Sequence, residues 1–202
     1  MTSPRVAVFV VCGVLLAASC SCGPLAAPES ATPTKTPSET QHVIAGPVGL
    51  DAPASWHVRP GLLNPSGNVT FVYIGPLEIP SECQDTRQQG GVCHPWPVVQ
   101  LVPGGILVAV RQNGMPGSQP PAGGEPITVG GRPARCNSGS ADEGCRAIGG
   151  SELIDIVLPA VADTTGWIAL DACLAGSDVA AADAAFAAIV ASVTIAGGGA
   201  SP

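Results

Sequence analysis

Three histidines are the residues in this sequence best suited to acid–base chemistry near neutral pH: His42, His57 and His94. A nucleophilic hydrolase needs such a histidine close to a serine or cysteine and to an acid. No G-x-S-x-G elbow accompanies the histidines. The sequence therefore assigns no catalytic residue, and a hydrolase that uses His57 or His94 is an alternative.

Paired acids are the second kind of residue that could do chemistry. Asp142-Glu143 is one pair, and Glu152 with Asp155 is the other. Two carboxyl groups can flank a glycosidic bond when folding brings them to the right separation. Nothing in the sequence brings these pairs together, so a solvated, non-catalytic role is favoured.

Metal and nucleotide sites have little support in the sequence. Cys93-His94 has neither a C-x-x-C pair nor a second histidine nearby, as a zinc site would. The oxygen-rich segment 137–143 lacks the alternating carboxylates of a calcium loop. Gly130-Gly131 lacks the G-x-G-x-x-G spacing of a dinucleotide site. We therefore predict no metal and no cofactor.

The N-terminal segment has the three-part layout of a secretory signal. Arg5 is followed by an apolar run from Val6 to Leu16 and then by the small residues Ala17, Ala18 and Ser19. A membrane-spanning helix needs about 20 predominantly apolar residues, and this run is shorter. Residues 1–19 are therefore predicted to direct export and to be removed.

The residues around the predicted cleavage site, between residues 19 and 20, resemble a known bacterial motif. Leu15-Leu16-Ala17-Ala18-Ser19-Cys20 is similar to a lipobox, although Ala17 stands where leucine is usual. The resemblance implies a lipoprotein that begins at Cys20 and is held at the outer face of the cell membrane by acyl chains on that cysteine. Cys22 is a competing acceptor that fits the motif less well. The alternative is an ordinary signal and a freely secreted protein.

Composition indicates how the exported chain is organised. Only 11% of residues are charged, against roughly 25% in typical soluble domains. Gly and Pro are abundant. An abundance of such residues is typical of proteins from GC-rich genomes such as those of actinobacteria. Without Arg5, seven basic residues face fifteen acidic ones, a net charge of about −8 that argues against nucleic-acid binding. Residues 20–41 are predicted to be a disordered tether rich in Pro, Ser, Thr and Ala, and 198–202 a disordered tail.

The remaining residues, 42–197, are predicted to form one α+β domain with a mainly antiparallel sheet, disulfide-braced loops and a C-terminal helix packed on the sheet. The helix is expected over Asp178–Ser192 with Ser177 as N-cap. A hairpin is expected between Leu153–Leu158 and the segment that follows Pro159–Thr164. Short β-type runs bounded by turn residues predict strands at Val69–Ile74, Val98–Val102, Ile106–Val110, Ile127–Val129, Leu153–Leu158 and Gly166–Leu174.

Three fragments resemble PsbP-like α/β/α sandwich domains. Leu50–Trp56 is similar to their Leu-x-x-Pro-x-x-Trp entry, Gly130–Ala134 to a Gly-rich strand, and Phe186–Val193 to their closing helix and strand. The family is functionally diverse, so the resemblance implies a fold and no particular activity.

Five cysteines lie in the domain, where an exported chain is expected to form disulfides. Cys83 and Cys93 flank a polar loop and are predicted to pair. Cys145 pairs either with Cys136, which leaves Cys173 over, or with Cys173, which ties the start of one strand to the end of another. The second pairing is slightly favoured.

The segment His94-Pro95-Trp96-Pro97 displays an aromatic side chain among prolines and forms a possible binding loop through His94 and Trp96. The simpler interpretation is that Trp96 closes its loop onto the core. We expect a non-catalytic domain that binds a small ligand or an unknown envelope protein. A cell-envelope hydrolase and a structural accessory subunit of an envelope complex are the alternatives.

Overall fold

A computed structural model of the chain describes residues 39–61, 68–80, 96–97, 100–114, 118–159, 161 and 166–196. Several predictions concern residues outside these ranges: those for Cys20, Cys83, Cys93 and His94, and for segments 1–19 and 198–202.

Seven antiparallel strands form the main sheet. In chain order they are β3 (His57–Pro60), β4 (Val69–Gly75), β5 (Ile106–Asn113), β6 (Glu125–Val129), β7 (Arg132–Ser140), β8 (Glu152–Leu158) and β9 (Trp167–Leu174). Their spatial order is β3-β4-β5-β9-β8-β7-β6, so two groups of consecutive strands, β3 to β5 and β6 to β9, are joined where β5 pairs with β9. The centre of the sheet is therefore formed by the apolar strands β5, β8 and β9.

A second sheet has three strands. β1 (Thr40–Ala45) and β2 (Val48–Pro53) form a hairpin, and β10 (Thr194–Ile195) pairs with the other side of β2. The two-residue turn begins at Gly46, whose φ is 59°. Glycine adopts this left-handed conformation readily because it has no Cβ atom. Because β1 begins at Thr40, the last residues of the predicted tether, 40–41, belong to this hairpin.

Successive residues of a strand point to opposite sides, so the main sheet has two faces. We call the first the helix face. It carries Ile154, Ile156 and Leu170, and it is covered by the β1–β2 hairpin and by α2 (Ala180–Ala191), whose Phe186 joins the same apolar core. This is the larger of the two cores.

We call the opposite side the disulfide face. It carries Leu107 and Ala109 of β5 and Cys173 of β9, and these pack with Trp96 and with Ile148, which ends the short helix α1 (Glu143–Ala147). The sheet is thus buried on both sides. This explains why its central strands carry nearly continuous apolar runs.

A disulfide joins Cys145 of α1 to Cys173 of β9, with the two Cα atoms 5.6 Å apart. This is the second of the two pairings considered from the sequence. Cys136 takes no part in this bond and lies buried on β7. A Cβ atom at Gly150 would lie 2.2 Å and 2.3 Å from the two sulfur atoms, so only glycine fits beside the bridge.

Most of the predicted strands are confirmed, as is the antiparallel pairing of β8 with β9. The prediction of a strand at Val98–Val102 is wrong for residues 100–102, because Leu101 packs into the disulfide face and donates a single backbone hydrogen bond to Ile148. Strands account for 49% of the described residues and helices for 13%, so the sheet outweighs the helices more than the α+β prediction suggested.

The C-terminal helix is confirmed, but its predicted N-cap is wrong. The helix begins at Ala180 after Val179, whose side chain makes no cap hydrogen bond. Ser177 lies three residues before Ala180, too early for its hydroxyl to occupy the N-cap position. The C-terminal end of α2 is held against β2 instead, because the Ser192 hydroxyl accepts a hydrogen bond from the Asp51 amide at 2.8 Å.

Candidate functional site

A cavity of about 230 Å³ lies between α2 and strands β6, β7 and β8 on the helix face. We call it the helix–sheet cavity. Ligand sites are typically concave, mainly apolar and equipped with a few converging polar groups, and this cavity has each of these features. Its apolar lining comprises Ile127, Ile154, Ile156, Phe186, Ala187, Val190 and Ala191, and its polar lining Thr128, Cys136, Ser138, Glu152 and Asp183.

The alanine content of α2 explains why space remains there. Eight of the twelve residues from 180 to 191 are alanine, so the helix approaches the sheet without filling the gap. Phe186 and Ile189 carry the large buried side chains of the helix, and they anchor it in the core. Ala187 and Ala191 line the cavity from exposed positions of α2, and their methyl groups leave open a space that longer side chains would narrow.

Two carboxylates line this mainly apolar cavity, one from the sheet and one from the helix. Glu152 is the first residue of β8, and Asp183 lies in the first turn of α2. Both residues are half-buried. A mainly apolar lining with a carboxylate from each of two elements suits a ligand with two chemically different parts.

A different group of polar residues lies on the disulfide face. Strand register places Asn137, Asp155 and Asp171 side by side on β7, β8 and β9. The Arg111 guanidinium of β5 donates to the Asp171 carboxylate with Nη1 2.5 Å from Oδ2, and both side chains are largely buried. Buried ions need such a partner, because removal from water is costly.

Burial, a hydrogen bond with Asp171 and the negative charge of Asp171, in decreasing order of effect, raise the pKa of Asp155 from 3.8 to about 8. Arg111 and a hydrogen bond with Asn137 act in the opposite direction. At neutral pH, the pair of aspartates therefore holds one proton and one negative charge, and the negative charge is balanced by Arg111.

Trp96 covers this charged group. Its side chain is 1% exposed, and the Arg111 guanidinium lies 4.3 Å from the centroid of its ring. Such a contact is a cation–π interaction. Among the residues that the structure describes, the indole N–H has no hydrogen-bond partner. Of the two interpretations of this segment, the structure agrees with the favoured one, in which Trp96 closes onto the core, because the ring is packed into the core of the disulfide face and is not displayed.

The structure keeps the two described histidines away from both of these regions. His42 of β1 pairs with Asp51 of β2 at 2.8 Å, with side chains 56% and 46% exposed. His57, at the start of edge strand β3, is also exposed. Neither histidine lines the helix–sheet cavity. An exposed ion pair such as that of His42 with Asp51 contributes little interaction energy, because water screens the two charges. This geometry therefore gives no support to the hydrolase alternative.

The structure also separates the acids that the sequence grouped. Glu152 and Asp155 are three residues apart on one strand and so point to opposite faces of the sheet. Asp142 caps α1 by accepting a hydrogen bond from the Cys145 amide at 2.7 Å. The signal in the sequence for the buried pair is one aspartate inside each of two apolar runs, at positions 155 and 171.

A second cavity, of about 320 Å³, lies at the β6 edge of the sheet. It is larger, but prolines 120, 121, 126, 133 and 159 form much of its wall, and the Arg135 guanidinium beside it already donates to Gly124 O at 3.1 Å. Its converging polar groups are fewer than those of the helix–sheet cavity, so we regard the latter as the candidate site.

No protein-family model matches this chain, and no curated protein matches it in sequence. Within the residues described by the structure, no group of three or more His, Cys, Asp or Glu side chains is placed to hold a metal ion. The described helices include none that is long and apolar enough to cross a membrane.

Proposed function

We propose that this chain is an exported lipoprotein, anchored through Cys20, whose domain binds a small ligand in the helix–sheet cavity at the outer face of the cell membrane. The observation that carries the binding proposal is the cavity itself, which is lined mainly by apolar groups and reached by carboxylates from two elements. The lipobox-like sequence ending at Cys20 supports the anchor.

The PsbP-like resemblance remains part of this proposal as a statement about fold. An antiparallel sheet preceded by the Leu50–Trp56 segment and closed by a C-terminal helix and short strand supports it. Because function depends on sites more than on folds, the resemblance adds nothing about the ligand.

The anchor is tested by intact mass of the membrane-extracted chain. We expect acyl mass on a chain that begins at Cys20, because diacylated or triacylated cysteine gives durable membrane attachment. Cys20→Ala should release the protein from the membrane, whereas Cys22→Ala should leave it attached. An unacylated chain that begins elsewhere would instead support a freely secreted protein.

Binding in the cavity is tested with a neutral fluorescent apolar probe, N-phenylnaphthylamine, on the full chain. Ala187→Leu places a larger side chain in the cavity and should weaken probe binding about tenfold or more, which corresponds to about 1.4 kcal/mol. Ala188→Leu is the matched control, since both alanines are exposed residues of α2 and only Ala187 lines the cavity. Equal binding by both variants would show that the probe, and with it the proposed ligand, does not occupy this cavity.

A further inference from the structure

The charged groups of the helix–sheet cavity all have one sign. Its lining residues include Glu152 and Asp183 and contain no Lys, Arg or His. The two carboxylates belong to different elements, β8 and α2, so both walls of the cavity present negative charge. A ligand that enters between these walls meets an electrostatic preference as well as an apolar surface.

The apolar part of the cavity sets the size of the other half of the ligand. Ile154 and Ile156 of β8 and Phe186 of α2 are the largest apolar side chains that line the cavity from the buried side. At about 30 Å³ for a group the size of a water molecule, 230 Å³ accommodates roughly eight methylene-sized groups. A short alkyl segment fits this space, and the remainder of a larger ligand extends through the open side of the cavity.

Electrostatics inside such a cavity is stronger than in water. Two like charges within several ångströms repel more strongly as the local dielectric constant falls, and opposite charges attract more strongly for the same reason. An anionic headgroup near Glu152 and Asp183 is therefore disfavoured, and a cationic headgroup is favoured. The overall negative charge of the chain acts in the same direction over longer distances.

We propose that the helix–sheet cavity selects amphiphiles with a positively charged, amine-type headgroup, which Glu152 and Asp183 bind while a short alkyl segment lies against Ile154, Ile156 and Phe186. This inference rests on the proposed function, since it names the class of ligand for the same cavity. It goes further by assigning selectivity to two specific carboxylates.

The experiment compares three probes that share one octyl chain and differ in headgroup: octyltrimethylammonium, octyl glucoside and octyl sulfate. Each competes with N-phenylnaphthylamine on the full chain below its micellar concentration. We expect octyltrimethylammonium to bind at least about tenfold more tightly than octyl sulfate, with octyl glucoside in between. Raising the salt concentration should reduce this ratio, because screening weakens charge interactions.

Variants locate the selectivity. Glu152→Gln combined with Asp183→Asn should bring the ammonium-to-sulfate affinity ratio to within about threefold of unity, with folding checked by circular dichroism. Glu125→Gln removes an exposed carboxylate on β6 that does not line the cavity and should leave the ratio unchanged. A ratio that responds equally to both sets of variants would mean that net charge, and not the cavity, selects the ligand.

The outcomes separate this inference from the proposed function. Similar affinities for the three probes, all weakened by Ala187→Leu, would overturn the charge selectivity and leave the binding cavity in place. Tighter binding of octyl sulfate would likewise overturn it. Binding of no probe, or binding that ignores Ala187→Leu, would overturn the cavity proposal and this inference together.

Discussion

The two faces of the main sheet use the same central strands in opposite ways. On the helix face, alternate residues of β8 and β9 are apolar, and incomplete filling by an alanine-rich helix leaves a cavity. On the disulfide face, the intervening positions hold Asp155 and Asp171, and here Arg111, Trp96 and a disulfide fill the space. The comparison indicates that buried charge is tightly packed and paired, whereas the region with room for a ligand carries its charges at half-buried positions.

The largest expected effect comes from breaking the buried ion pair of the disulfide face. Arg111→Ala should lower the free energy of unfolding by about 3–5 kcal/mol, because it leaves the negative charge of the aspartate pair buried without its partner. Chemical denaturation of the full chain measures this change. His42→Ala, which breaks the exposed pair with Asp51, should cost less than about 1 kcal/mol. Equal losses in the two variants would contradict the assignment of Arg111 and Asp171 as a buried, energetically important pair.

Removal of the disulfide should have the next largest effect. The bridge closes a loop of 28 residues, for which the chain-entropy model gives about 3.5 kcal/mol. Cys145→Ala with Cys173→Ala should therefore lower Tm by roughly 10 °C for a domain of this size. Thermal unfolding under non-reducing conditions measures it. An unchanged Tm in the double variant would show that packing around Gly150 and α1 stabilises this face without the covalent link.

The smallest expected effect is a pH dependence of stability. The folded chain keeps a proton on Asp155 up to about pH 8, whereas the unfolded chain loses it near 3.8, so stability falls as pH rises between these values. A single such proton gives at most about 1.4 kcal/mol per pH unit, and partial exposure of Asp155 reduces the total to about 1–3 kcal/mol.

Two substitutions test the source of this pH dependence. Asp155→Asn imitates the protonated form and should flatten the profile between pH 5 and about 8. Asp178→Asn, at an exposed position, should leave the profile as it is. A profile that stays steep in the Asp155 variant would place the responsible proton elsewhere.

The strands that could be predicted from the sequence are those with long apolar runs. Strands β4, β5, β8 and β9 carry long apolar runs and were predicted close to their observed bounds. Only the start of the polar strand β7 was expected, through the resemblance at Gly130–Ala134, because Pro, Asn, Ser and Gly interrupt any alternation in its sequence. The hairpin strand β2 was missed for a similar reason, since its Gly and Pro weaken the strand signal. Strand β1 contains neither residue, but it is short and half of its residues are polar.

The candidate site was less predictable than the fold. The cavity depends on where alanines of α2 meet three strands that are distant in sequence, and no local pattern shows such a juxtaposition. The aspartate pair was predictable in principle, because an aspartate inside an apolar strand must find a partner. Its identification required the register of β8 against β9, which the predicted hairpin did not specify.

The strands at the two ends of the main sheet have a consequence for behaviour at high concentration. Edge strands β3 and β6 contain Pro60 and Pro126, which lack the backbone N–H that a further strand would need. Charged Arg59 and Glu125 stand next to these prolines. Both features discourage edge-to-edge pairing between copies, so crowded molecules of this protein should resist assembly into extended intermolecular sheets.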